Sequence, residues 1–99
     1  MNLRSIHFTE QEVLFDRRID ISFILKKFRF GLVVFQDEFT EPFSPVRVYH
    51  QDSKDCPFCE RSKIEETCSS FSKIDISDVF HALIEQPSIR LEWLFIPHT

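Results

Sequence analysis

FRFGLVVFQDEFTEPFSPVRVYH, residues 28 to 50, is the stretch on which the fold turns. Phe28, Phe30, Leu32 and Val34 alternate and run on into Phe35, the period-two pattern of a strand near 28 to 36. Both faces are apolar from Leu32 to Phe35, so this strand is expected inside a sheet or with one face reserved for a partner. The segment from Asp37 to Pro45, with Pro42 and Pro45, reads as a turn region. Val46, Val48 and His50 then alternate against Arg47 and Tyr49, which predicts a second strand paired with the first as a hairpin.

Upstream, Ile19 to Phe30 fits both a helical and an alternating period, and its β-branched and aromatic residues favour a strand. Leu3 to Phe8 reads as a short strand. Thr9 followed by Glu12 is a capping-box pattern and predicts a helix from about Glu10 to Arg18, burying Val13 and Leu14. Downstream, Ser62 with Glu65 repeats that pattern and predicts a helix over 63 to 69. Ser77 is expected to cap a helix carrying Val79, Phe80, Leu83 and Ile84 on one side, with Pro87 stopping it. Ile89, Leu91, Trp93 and Phe95 alternate in a closing strand. The expected architecture is one α+β domain over 1–99: a small, mainly antiparallel sheet of four to five strands with two or three short helices on one face.

Composition narrows the function. A single glycine excludes Gly-rich phosphate loops and dinucleotide fingerprints, which need several residues without a Cβ. No Ser-His-Asp set with recognisable context and no His-Glu-x-x-His pair is present. The net charge of −4 makes nucleic acid or an anionic membrane an unexpected partner, and no apolar run approaches the ~20 residues of a spanning helix. The twelve phenylalanines are needed to fill a core that has only Ala82 as a small apolar filler. Lys26, Lys27 and Arg29 beside Phe28 and Phe30 are expected to form a solvated face, the other reading being a platform for single-stranded nucleic acid. The first residues, MNLRSIHFTEQE, lack the apolar run of a secretory signal, and three cysteines cannot all pair, so a reducing, cytoplasmic setting is expected.

The chemically suggestive segment is His50-QDSKD-Cys56-Pro57-Phe58-Cys59-ERSKIEET-Cys68. Two cysteines separated by two residues direct both sulfurs to one centre; Cys68 lies beyond eight intervening residues and His50 six positions before Cys56. Four such donors are what a tetrahedral structural zinc site requires, and an ion there ties the strand ending at His50 to the helix expected after the cysteines. The bland alternatives are a solvent-facing His50 and thiols buried as small hydrophobes.

A strand followed by Cys-Pro-Phe-Cys and a charged segment also resembles the opening of the glutaredoxins. That resemblance implies Cys56 as nucleophile and Cys59 as resolving thiol, with a helix N-terminus and Arg61 or Lys63 stabilising the thiolate. It is local, since the chain has no Thr-Val-Pro segment and no Gly-Gly turn beyond the cysteines. Asp37, Glu38 and Glu41 around Phe39 and Phe43 form an acidic, aromatic loop suited to a protein partner with a basic surface. The reading carried forward is a non-enzymatic binding module, adaptor or inhibitor with a structural zinc clip. A thiol-disulfide oxidoreductase and a zinc-containing nucleic-acid module are the alternatives.

Overall fold

The computed structural model describes residues 5–15, 17–37, 43–60 and 63–85. Strands β1 (His7–Phe15), β2 (Arg18–Leu25), β3 (Phe28–Phe35) and β4 (Ser44–His50) precede one helix, α1 (Lys73–Ile84). The strands form an antiparallel meander in the order β1-β2-β3-β4. β3 is therefore interior, which accounts for its apolar residues on both faces: Leu32, Val33 and Val34 are all buried.

Register decides which side chains share a face. Ile19, Ile21 and Phe23 lie opposite Val34, Leu32 and Phe30, while Leu32 and Phe30 lie opposite Val48 and His50. All are buried, and Val79, Phe80 and Leu83 of α1 join the same core. Phe30 is its hub, with the rings of Phe23, Phe28, Phe58 and Phe71 at centroid distances of 5.5, 4.8, 5.8 and 5.4 Å. The helix starts at the N-cap Ser72, whose hydroxyl accepts from the Asp75 N–H while the Asp75 carboxylate accepts from the Ser72 N–H.

Several expectations are corrected. Residues 10–15, read as the front of a helix, belong to β1: their backbone groups pair with β2, and pairing along a whole edge outweighs a four-residue capping signal. The predicted helix over 63 to 69 is absent, because Glu65 takes a left-handed φ of 67° and Thr67 bridges Tyr49. The last helix begins at Lys73, ahead of the expected Ser77 cap. One helix and four strands stand among the described residues. Leu3, Arg4, Pro87 and the expected closing strand lie outside them. No described helix is long and apolar enough to cross a membrane.

Candidate metal centre

His50 ends β4 on the core face, two positions after Val48, and is fully buried. Beyond it the chain loops through 51–55 and tightens at Cys56-Pro57-Phe58-Cys59. The Glu60 N–H donates to the Cys56 carbonyl at 3.0 Å, with Glu60 at a φ of 63°. The Phe58 N–H points at Cys56 Sγ, 3.5 Å away. Residues 65–68 then return along β4. Glu65 N–H donates to His50 O (2.7 Å), His50 N–H to Glu66 O (3.0 Å), and Cys68 N–H to Val48 O (2.8 Å). These bonds set Cys68 beside the strand that carries His50. The Ser70 N–H serves Cys68 as the Phe58 N–H serves Cys56, so two sulfurs each receive a backbone donor two residues ahead.

The ligand atoms of His50, Cys56, Cys59 and Cys68 all lie within 4.8 Å of one another. Cys56 Sγ and Cys68 Sγ are 3.8 Å apart, and Cys59 Sγ is 3.2 Å from His50 Nε2. Zn–S bonds of about 2.3 Å in a tetrahedron set sulfurs about 3.8 Å apart, so the donors fit zinc in spacing as well as in kind. His50 Nδ1 is 3.1 Å from the Lys63 carbonyl. A carbonyl only accepts, so Nδ1 carries the proton and Nε2 turns its lone pair to the sulfurs, the tautomer that a metal ligand needs. Burial pushes the Cys68 thiol up to about 12, and the neighbouring Cys56 and Cys59 add to the rise. A dication bound by the four donors would offset the cost of ionising it.

The other candidates are placed differently. Cys56 is 1 % exposed, and the next described helix begins only at Lys73, too far along the chain to lend Cys56 the N-terminal dipole that the glutaredoxin resemblance implies. Phe43 is buried in the core, so its ring is not on offer to a partner. Asp37 is exposed, and its carbonyl accepts from the Arg17 guanidinium. Glu38, Phe39 and Glu41 lie outside the described residues. Phe28 and Phe30 are core residues, which removes the stacking platform beside Lys26 and Lys27.

Sequence reasoning misses the outer face of the sheet. There a cleft of about 440 Å³ is lined by Glu10, Glu12, Arg18, Asp20, Arg29, Tyr49, Gln51, Ile64 and Glu65, among others. Its floor is a network: Arg18 donates twice to Asp20, Tyr49 donates to Asp20, and Gln51 donates to the Tyr49 hydroxyl. Hydrogen bonding to Asp20 raises Arg18 above its ordinary value, and burial raises Tyr49 above its own. The signal for it in the sequence is the alternation of Asp20 and Ser22 with Ile19, Ile21 and Phe23. Compared with protein-family models, curated proteins and solved structures, the chain matches none.

Proposed function

We propose that this chain is a non-catalytic binding module, an adaptor or inhibitor of a larger protein or nucleoprotein complex, clamped by one structural zinc ion. His50, Cys56, Cys59 and Cys68 hold the ion. The observation that carries the reading is the convergence of these four donors at tetrahedral spacing against the core. A full set of four protein ligands leaves no coordination position for a substrate, the pattern of a structural site. The burial of Cys56 and Cys68 supports architecture over disulfide exchange, which needs an accessible, stabilised thiolate.

Affinity then falls to the surface. The net charge is −4, and Glu10 and Glu12 line the outer cleft beside Glu65, which faces the Arg18 charge. Carboxylates on a rigid sheet favour a partner with a basic surface, through faster encounter and fixed orientation. The test uses the zinc-loaded chain and a Glu10→Lys, Glu12→Lys variant as baits in extract of the native cell. The reading predicts a partner held by the unaltered chain, released by added salt and lost by the variant, with zinc content equal in both. A chain that captures nothing, or that catalyses disulfide exchange, contradicts it.

A further inference from the structure

We infer that the metal centre is a redox-gated clip, with Cys59 as the sensing sulfur and Cys68 as the resolving one. This rests on the zinc reading above. The four ligands differ in access: His50, Cys56 and Cys68 are buried to within 2 % of completely, whereas Cys59 is only partly buried. Oxidation of cysteine follows thiolate character and exposure, so an oxidant entering from solvent meets Cys59 first. A resolving sulfur is already in place. Cys68 Sγ lies within 4.8 Å of Cys59 Sγ and 3.8 Å from Cys56 Sγ.

The oxidant class is a peroxide, with hydrogen peroxide the simplest member. The Cys59 thiolate attacks one peroxide oxygen; an S–O bond forms, the O–O bond breaks, and hydroxide leaves and takes up a proton as water. The Cys68 thiolate then attacks the Cys59 sulfur; an S–S bond forms, the S–O bond breaks, and a second hydroxide leaves and is protonated to water. The two sulfurs together lose two electrons, the peroxide gains them, and two protons come from solvent. His50 and Cys56 alone are then left as ligands, too few to retain the ion. A dithiol reductant reverses the state by exchange, being itself oxidised to a disulfide.

The switch has a readout in the fold. Ile64 and Glu65 line the outer cleft and lie in the segment between Cys59 and Cys68. Glu65 is fixed to β4 by its N–H bond to the His50 carbonyl. Loss of the ion replaces the joint anchor of His50, Cys59 and Cys68 by a bond between Cys59 and Cys68 alone, which changes how that wall of the cleft is held to β4.

The experiment adds hydrogen peroxide to the zinc-loaded full chain, following zinc with a colorimetric chelator and disulfides by peptide mass spectrometry. One zinc released per Cys59–Cys68 disulfide, restored by dithiothreitol and zinc, is the expected result. Cys59→His keeps four ligands while removing the accessible sulfur, and should release zinc about tenfold more slowly. Zinc that stays bound under peroxide, or leaves equally fast from Cys59→His, overturns the inference while the zinc clip stands. A chain that binds no zinc overturns both.

Discussion

Tyr49 and Asp20 meet across an intervening strand: the Tyr49 hydroxyl on β4 donates to Asp20 Oδ2 on β2 at 2.8 Å. The ring crosses β3 at Gly31, the single glycine of the chain, where an added Cβ would fall 2.3 Å from Tyr49 Cζ. Asp20 is 8 % exposed and draws its remaining bonds from Arg18 at 3.1 and 3.3 Å. Gly31→Ala must therefore displace the ring and break the bond, at a cost of about 1–3 kcal/mol. Urea unfolding measures it; a variant as stable as the parent contradicts the crossing.

Alkali should weaken the same contact. Burial holds the Tyr49 pKa above its ordinary 10.0, so the folded state binds the phenolic proton more tightly than the unfolded chain does. That contribution is complete below pH 10.0 and is lost as pH climbs through the higher folded value. Tyr49→Phe should lose about 1 kcal/mol at neutral pH, through the missing hydrogen bond. Its unfolding midpoint should then fall less steeply with alkali than that of the parent.

The Ser72–Asp75 capping box closes the N-terminus of α1, and Ser72→Ala should cost about 1 kcal/mol in thermal or urea unfolding. Hydrogen bonds from Ser72 hold the Asp75 carboxyl below its ordinary 3.8. Its support is present above pH 3.8 and is lost as pH falls through the lower folded value. The helix signal of Asp75→Asn should accordingly lose this acid step.

Four exposed residues, Lys26, Lys27, Glu60 and Glu65, hold a left-handed φ where glycine would relax the backbone. Lys27, second in the two-residue turn between β2 and β3, has a φ of 62°, and Glu60, after Cys59, a φ of 63°. Left-handed backbone is costly for a residue with a Cβ, so Lys27→Gly and Glu60→Gly should each stabilise by up to about 1 kcal/mol. Denaturation midpoints check both. A loss on Glu60→Gly would mean that its side chain makes a contact the turn depends on.

The legible parts of the fold are those with uninterrupted periods. Phe28 to Phe35 and Val48 to His50 are legible because they line the core, and the two strands pair as expected. Val46, read as part of the same alternation, is 53 % exposed at a register shift between Arg47 and Pro45. β1 is misread because its register shifts at Phe8/Glu10 and Val13/Phe15, which breaks the alternation and leaves the local Thr9–Glu12 signal to dominate. The Lys26-Lys27 turn is hidden for another reason: a turn with two positive φ values normally announces itself with Asn-Gly. Ser72 escapes notice as a cap because its box is closed by Asp75 in place of Glu or Gln. At the candidate site, residue types and spacing name the four donors. Their convergence depends on residues 65–68 running back along β4, and no local pattern encodes that long-range pairing.

If three sulfurs and one imidazole are a metal-built part of the core, elemental analysis of the full chain purified without chelator will find the ion. Thiols are counted in the same sample before and after chelation. The expected outcome is one zinc per chain, three thiols that react only once the ion is removed, and loss of cooperative folding on its removal. Metal-free protein whose thiols titrate freely, with a fold indifferent to chelator, would refute the zinc clip.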